Sequence, residues 1–218
     1  MFIGHFGVAF AAKRAAPTVS LGTLFIACEL VDLLWPIFLF AGMETMAIAP
    51  GITRFTPLDF QHYPWSHSLL MSVVWALVFG GLYFAVRRRW LTAAVVALVV
   101  LSHWFLDLVV HRPDLPLAPG SDLKVGFGLW NSVAGTLLVE GAVFVAGFRF
   151  YLAGSQALDR TGHWALYGLL AFLVLAYIGA AFGPPPPSVS AIAWVGLAGG
   201  LVTGAAGYWI DRHRSEKG

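Results

Sequence analysis

The segment Leu101–Asp114, L-S-H-W-F-L-D-L-V-V-H-R-P-D, carries both the fold signal and the chemical signal of this chain. His103, Asp107 and His111 recur every fourth residue in an apolar run, which predicts a helix with one polar stripe. A histidine and a carboxylate one turn apart can bind the same metal ion, so His103 and Asp107 are predicted ligands. His111 lies two turns from His103, about 12 Å along the axis, and fits a second ion or a substrate better.

The composition places this helix in a membrane rather than in a soluble core. Hydrophobic residues make up 59% of the 218 residues and charged residues only 11%, whereas soluble domains carry about a quarter charged residues. Ionisable groups inside a membrane span are costly and commonly functional. Three of them in register therefore favour a site over three polar residues that neighbouring helices merely satisfy. The net charge of +2 indicates no nucleic-acid partner.

Hydropathy predicts an all-α fold: a polytopic helical membrane bundle of about six transmembrane helices with a short N-terminal half-helix. The half-helix, Phe2–Ala12, is too short to cross a bilayer, which needs about 20 residues. The spans are predicted at Leu21–Met43, Ser66–Val86, Leu91–His111, Phe127–Leu152, His163–Phe182 and Val189–Ile210. Together they form a single membrane domain, 1–218, with a metal-site half at 1–115 and accessory helices at 127–210.

Several residues predict local features of these spans. Pro36 is predicted to kink the first span, and Ser66 to cap the start of the second. Many glycines in the last span predict close packing on a neighbouring helix. Cys28, the single cysteine, excludes an internal disulfide. No cleavable signal peptide is expected, because no basic region precedes the first apolar stretch.

Basic residues are distributed unevenly between the two sides of the predicted bundle. One side holds Lys13, Arg14, Arg87, Arg88, Arg89, Arg149, Arg160, Arg212, Arg214 and Lys217. The other side holds Arg54, Arg112 and Lys124. Both termini of this multi-pass protein are therefore predicted to be cytoplasmic.

This topology brings ligand-type residues from separate segments to one depth, in the outer half of the bilayer. The predicted metal ligands are His5, Asp32, His67, His103 and Asp107. Imidazole and carboxylate ligands suit zinc, with manganese or iron as alternatives. Five ligands exceed the needs of one tetrahedral ion, so either some of them orient the others or two ions bind.

A metal-activated water also needs a group that accepts its proton. The candidate catalytic residues are Glu29, Asp114 and His111. Glu29 is one candidate base, and whichever of Asp32 and Asp114 does not bind metal is another. A protonated carboxyl that only bonds a neighbouring helix is the structural alternative for Glu29. His111 and Arg112 are predicted to hold an anionic substrate group at the membrane surface.

The predicted ligands lie in short motifs: His5 near the N-terminus, D-L-L-W-P at Asp32, W-S-H-S at His67 and S-H-W-F-L-D at His103 and Asp107. This set, within about the first 115 residues, resembles the YdjM-like family of predicted metal-dependent hydrolases in bacterial inner membranes. That family commonly has Pro-Asp where this chain has Val31-Asp32. The His-x-x-x-Asp pair is also similar to that of zinc-dependent phospholipase C. The resemblance implies a bacterial inner-membrane location and hydrolysis of a phosphoester or lipid-linked substrate.

The sequence thus predicts a metal-dependent hydrolase of a lipid or amphiphilic small molecule. The main alternative is a proton-coupled transporter or metal carrier, in which Glu29 and Glu140 continue a polar path through the bundle. A hydrolase should have a cavity closed towards the cytoplasm, whereas a carrier should show polar residues towards both faces. A third reading is a membrane partner protein whose ion only holds the helices together. Homo-oligomerisation is left open.

Overall fold

The computed structural model describes residues 1–217, and within them the chain forms nine α-helices and six short strands. The helices are α1 Ile3–Ala15, α2 Leu21–Cys28, α3 Leu30–Phe40, α4 Pro64–His67, α5 Leu69–Arg87, α6 Trp90–Val110, α7 Val133–Gly154, α8 Arg160–Phe182 and α9 Val189–Asp211. The strands are β1 Thr45–Ile48, β2 Leu58–His62, β3 Leu115–Pro116, β4 Lys124–Val125, β5 Ser155–Ala157 and β6 Arg214–Glu216. They pair only as three antiparallel ladders in the described range, β1 with β2, β3 with β4 and β5 with β6.

Helices α5 to α9 are each long and apolar enough to cross a membrane. The consecutive helices α2 and α3, bent by 50° at their junction, pass the same test as a pair, which gives five spans or six when the pair is counted as one. The predicted all-α bundle with about six spans is confirmed, and the chain is an integral membrane protein. Helix α1 has 13 residues, which is too short to cross a bilayer on its own, as predicted for the half-helix.

The first span bends at Glu29, a position that the sequence does not indicate, and the kink at Pro36 stays a prediction. Glu29 has φ −102° and ψ 6°, outside the α-helical region, and separates α2 from α3. Pro36 lies inside α3, which continues to Phe40. Because proline has no N–H, the carbonyl of Asp32 receives no helical hydrogen bond from position 36, and α3 tolerates that single loss.

The second span begins differently from the prediction, because Ser68 and not Ser66 caps α5. The side chain of Ser68 accepts a hydrogen bond from the amide of Met71 at 3.2 Å. Ser66 lies inside the one-turn helix α4, and its hydroxyl points to other partners. The fourth span also begins later than predicted, at Val133, where Ser132 accepts from the amide of Gly135 at 3.1 Å.

Helix α1 is held inside the bundle by α7. A Cβ on Gly147 of α7 would lie 1.8 Å from the carbonyl oxygen of Gly7, so the two backbones cross in direct contact at these glycines. Glu140 of α7 accepts hydrogen bonds from the amides of Phe2 at 2.7 Å and Gly4 at 3.5 Å. The first turn of α1 therefore has its free amides satisfied in the interior, which fixes the position of His5.

The glycines of the last span pack closely on another helix, as the composition predicts. A Cβ on Gly207 of α9 would lie 2.8 Å from the Cα atom of Gly22 on α2. Helix α9 therefore lies directly against the N-terminal half of the bent span. At the cytoplasmic side predicted from the charges, β6 pairs with β5 and ties the end of the chain to the α7–α8 connection.

Candidate metal centre

The structure brings together all five predicted metal ligands, although they come from four helices. His5 lies on α1, Asp32 on α3, His67 on α4, and His103 and Asp107 on α6. All are buried except Asp32, whose side chain is 41% exposed and lines the central cavity. The bend between α2 and α3 and the one-turn helix α4 therefore bring two of the predicted ligands to the C-terminal part of α6.

Two groups of three residues within this cluster can hold a metal ion. The first is His5, His103 and Asp107, and the second is Asp32, His67 and His103. In each group, one ligand atom from every residue lies within 4.8 Å of the others. His103 belongs to both groups but has one nitrogen facing the cluster, so it can serve only one ion at a time.

Asp107 lies at the centre of the cluster, with a different set of neighbours at each oxygen. Its Oδ2 atom is 3.1 Å from Nε2 of His103 and 3.9 Å from Nε2 of His67. Its Oδ1 atom is 3.2 Å from Nε2 of His5 and also contacts the amino group of Met1. A carboxylate with imidazoles on both sides has the arrangement needed to bridge two ions or to anchor one.

His111 joins this cluster, although the sequence places it two turns away from His103. Helix α6 ends at Val110, and His111 has extended backbone angles, φ −62° and ψ 143°. Its ring turns back over the last turn, and Nε2 lies 3.9 Å from Oδ2 of Asp107. The predicted separation of His103 and His111 along the helix axis holds only for a continuous helix, and α6 ends at Val110.

The imidazole of His103 is oriented by a backbone carbonyl that the break in the first span sets free. Nδ1 of His103 donates to the carbonyl of Cys28 at 2.6 Å, which leaves Nε2 for the cluster. In a continuous helix this carbonyl would accept from the amide of Asp32, four residues later. The bend at Glu29 therefore supplies His103 with a partner of the kind that orients metal-binding histidines.

His67 is oriented by a chain of two polar side chains. The hydroxyl of Ser66 donates to Oε2 of Glu44 at 2.8 Å, so it accepts from Nδ1 of His67 at 2.7 Å. Oε1 of Glu44 accepts from the amides of Trp65 and Ser66, which anchors this buried carboxylate to α4. Nε2 of His67 is left facing Oδ1 of Asp32 at 3.0 Å.

His111 is oriented by Asp114, whose Oδ1 is 3.0 Å from Nδ1 of the imidazole. The hydroxyl of Tyr63 donates to the same oxygen at 3.2 Å, and Nε of Arg112 donates to Oδ2 at 2.7 Å. Burial opposes ionisation of Asp114, but the hydrogen bond from His111 and the charge of Arg112 outweigh it and lower the pKa of this carboxyl. The guanidinium of Arg112 also pairs with Asp59.

The structure thus places Asp114 and Arg112 behind His111 and not at the centre of the cluster. Asp114, predicted as a possible base, has both oxygens engaged by His111, Tyr63 and Arg112. Arg112, predicted to hold an anionic group, is already paired with two carboxylates. In this arrangement the two residues orient His111.

Glu29 lies at the break, beside the cluster rather than within it. Its side chain is buried, and it lines the same cavity as Asp32 and His67. The thiol of Cys28 lies 3.8 Å from its Oε1 atom. The carboxyl of Glu29 therefore reaches the cavity without belonging to either group of three ligands.

Buried nitrogens without partners show that the cluster fits a metal ion. Both ring nitrogens of His5 and Nε2 of His103 are buried and make no hydrogen bond. The Nε2 atoms of both residues lie within 3.2 Å of Asp107, but in orientations that form no hydrogen bond. Unpartnered buried polar atoms are rare and costly, and a divalent ion bound between the carboxylates and these histidines would satisfy the two Nε2 atoms.

A cavity of about 330 Å³ extends from the cluster towards α8 and α9. Its polar end is formed by Glu29, Asp32, His67, Asp107, His111 and Glu140. Its remaining wall is mainly apolar and includes residues of α8 and α9, so the helices predicted to be accessory form a large part of the site. A polar end with an apolar wall is typical of a pocket for a mainly apolar ligand.

Aromatic side chains fill the core between the cluster and the Lys13–Arg14 side of the bundle. Phe10 on α1 packs with its ring centroid 5.1 Å from that of Phe25 and 5.4 Å from that of Phe148. Phe6 packs on Phe25 at 5.2 Å. Along α1, these rings lie between the cluster and that side of the bundle.

Sequence reasoning missed the residues that orient the ligands: Glu44, Tyr63, Ser66 and the carbonyl of Cys28. The two serines of W-S-H-S indicated polar partners close to His67, but nothing in the sequence connects that motif with Glu44 across a long loop. Comparisons with protein-family models, curated proteins and solved structures find no match to this chain. Membership of the YdjM-like family therefore stays a prediction based on the motifs.

Proposed function

We propose that this chain is a membrane-bound, metal-dependent hydrolase that cleaves an ester or phosphoester bond of a lipid-like substrate, as the YdjM-like motifs imply. One observation carries the proposal: the Nε2 atoms of four histidines converge on two carboxylates at the polar end of an apolar cavity. A metal used only to hold helices together would need no such cavity beside it. The bacterial inner membrane is the proposed location.

The ligand set fits one or two ions, and zinc is the first choice for histidine and carboxylate ligands. His5, His67 and His103 would hold the metal with Asp32 and Asp107. A bound ion of this kind supplies Lewis acidity, which lowers the pKa of coordinated water towards neutrality and polarises the scissile group.

Two residues beside the ligands are placed to move protons. Glu29 lines the cavity next to Asp32 and can accept a proton from the attacking water. His111 lines the same cavity, and Asp114 holds its ring with Nε2 towards Asp107. In this position His111 can exchange a proton with the leaving group, while Arg112 and Tyr63 keep Asp114 in place.

The aromatic core below the cluster supports a hydrolase over a carrier. A carrier needs polar residues that continue from the site to both faces of the membrane. Along α1, the residues between His5 and Lys13 contain no ionisable group, and Phe6 and Phe10 occupy the core there. An ion released towards the Lys13–Arg14 side would have to cross these rings.

The proposal is tested by removing the metal from purified protein and assaying both a soluble phosphoester and a broad panel of lipids. Chelation should abolish cleavage, and zinc or manganese should restore it. Asp107→Ala should lose metal and activity together, whereas His213→Ala in the C-terminal segment should retain both. Transport of metal ions or protons into proteoliposomes, with no ester cleaved across the panel, would overturn the proposal in favour of a carrier.

A further inference from the structure

We infer that the space between α8 and α9 is a lateral slot that binds one hydrocarbon chain of the substrate. The inference rests on the proposed function for the identity of the reacting group, but binding of the chain can be measured without catalysis. The slot is the part of the 330 Å³ cavity that lies away from the metal ligands. Its position, its opening and its glycines each support this reading.

The slot is formed by facing sides of two antiparallel membrane-spanning helices. On α8 its wall includes Leu173, Ala176 and Ala180, which are spaced by three and four residues and so share one face. On α9 it includes Ile192, Val195 and Gly199, spaced in the same way. These are the C-terminal half of α8 and the N-terminal half of α9, which lie at the same end of the bundle.

The slot opens sideways, at the perimeter of the bundle. Phe172 on α8 and Val195 on α9 both line the cavity, and yet 47% and 66% of their surfaces are exposed. Leu173, also in the wall, is fully buried. Because both helices have membrane length and composition, an opening between Phe172 and Val195 faces hydrocarbon and not water.

Two glycines of α9 leave space that no part of the protein fills. A Cβ on Gly196 or Gly199 would meet no heavy atom within 4 Å, although both residues line the cavity. By contrast, a Cβ on Gly204 would lie 2.5 Å from Ile26, so close packing between helices explains the glycine there. Helical glycines outside the cavity, such as Gly168, also meet no heavy atom, so the open position alone does not indicate a ligand. At positions 196 and 199 the absent side chains leave room inside the cavity itself, and a larger side chain there would fill the slot.

The chemistry of the cavity points to a single chain with a polar group at one end. A hydrocarbon chain in the slot would place its attached ester or phosphate at the end where Asp32, His67 and Asp107 lie. The volume, about 330 Å³, falls at the lower end of ordinary ligand pockets, which span about 300–1,000 Å³. Such a space suits one chain of a lipid better than two.

The test uses metal-loaded protein in phosphatidylcholine vesicles that contain a phosphatidic acid probe with a photoreactive diazirine in one acyl chain. Illumination followed by peptide mass spectrometry should find label on Leu173, which annular lipids cannot reach because it is buried. Gly199→Leu should reduce this labelling by about tenfold or more, since the added side chain occupies the slot. Gly196→Leu should reduce labelling of Leu173 as well, which would show that the effect is not limited to one position.

The matched control is Gly168→Leu on α8. A Cβ on Gly168 also meets no heavy atom within 4 Å, but this residue does not line the cavity. Its labelling at Leu173 should equal that of the unchanged protein. A polyisoprenyl phosphate probe used in parallel distinguishes the two sources of the chain, and labelling of Leu173 by either probe supports the slot.

Two outcomes separate this inference from the proposed function. Absence of label on Leu173 with both probes, or equal labelling in Gly199→Leu and Gly168→Leu, overturns the slot, even if the protein cleaves a soluble phosphoester in a metal-dependent reaction. Conversely, the expected labelling pattern with no ester cleaved supports the slot and overturns the hydrolase.

Discussion

His103 provides the nitrogen that both three-residue groups share, and the carbonyl of Cys28 fixes its ring. Replacing it, His103→Ala, should remove most of the bound metal, because either group then keeps only two ligands. Elemental analysis of purified protein measures this, with His163→Ala, an exposed residue at the start of α8, as the control. Full metal occupancy in His103→Ala would show that the ion is held elsewhere.

Glu29 allows proton transfer to be separated from metal binding, because it lines the cavity without belonging to either ligand group. Glu29→Gln should retain the metal and lose about 10²–10⁴-fold in turnover, the usual effect of removing a positioned general base. Elemental analysis and the metal-restored cleavage assay are measured on the same sample. Glu216→Gln on β6 is the matched control. Unchanged turnover in Glu29→Gln would reduce Glu29 to a structural carboxyl.

The residues of the cluster could be predicted from the sequence because a histidine or a carboxylate in an apolar span stands out. The residues that orient them could not. Glu44 becomes a partner of Ser66 only when β1 pairs with β2, which brings Thr45 beside His62 just before α4, and no local pattern reports a contact between residues so far apart. The contribution of Cys28 is a backbone carbonyl, which every residue has.

At the scale of helices, Ser66 and Ser68 lie two residues apart at the junction between α4 and α5 but have different hydrogen-bond partners. Ser66→Ala breaks the link between His67 and Glu44, and it should weaken metal affinity by about 10–100-fold, as loss of an outer partner typically does. Ser68→Ala removes the cap of α5 and should lower the free energy of unfolding by about 0.5–2 kcal/mol, with metal affinity retained.

Competition with a fluorescent zinc chelator measures the affinities, and thermal unfolding of the same two variants measures the stabilities. Each variant is the other's control, since both changes remove a single hydroxyl from neighbouring turns. Equal effects of the two substitutions on metal affinity would mean that Ser66 supports the fold of α4 and not the orientation of His67.

The existence of the spans was predictable from hydropathy, but their internal breaks were not. Pro36 is the usual sign of a kink, and yet the chain bends at Glu29, whose backbone leaves the helical region among buried neighbours. The end of α6 at Val110 likewise depends on contacts of the loop that follows, in which Asp114 holds His111. Tertiary contacts decide both features.

For the whole molecule, the charge distribution predicts that the 44–65 and 112–126 loops face outwards. In a Cys28→Ser background, Arg54→Cys and Asp122→Cys should react with an impermeant thiol reagent in intact cells, since both positions are exposed. Arg89→Cys, in the exposed turn between α5 and α6, should react only after the membrane is broken. The reverse pattern would invert the orientation and place the cluster in the inner leaflet.

The approximate number of spans followed from the sequence, because it depends on the count of apolar residues in each helix. The arrangement of the helices around the cluster did not. Residues 127–210 contain no recognisable motif, and nevertheless α7 places α1 through Glu140 while α8 and α9 form the cavity wall. These helices position other elements and form the cavity wall, and such roles depend on how the helices pack rather than on a local sequence motif.

The bent first span would link binding of the proposed ion to the stability of the fold. The carbonyl of Cys28 can accept from His103 only while α2 and α3 are bent, so an ion that needs the fixed imidazole also favours the bend. By reciprocity, straightening the span would weaken ion binding by the same factor as ion binding favours the bend. At a free concentration one hundred times the dissociation constant, such an ion adds about 2.7 kcal/mol to the folded state. If the proposed ion binds, the supply of metal to the cell would therefore affect how long each copy of the protein survives.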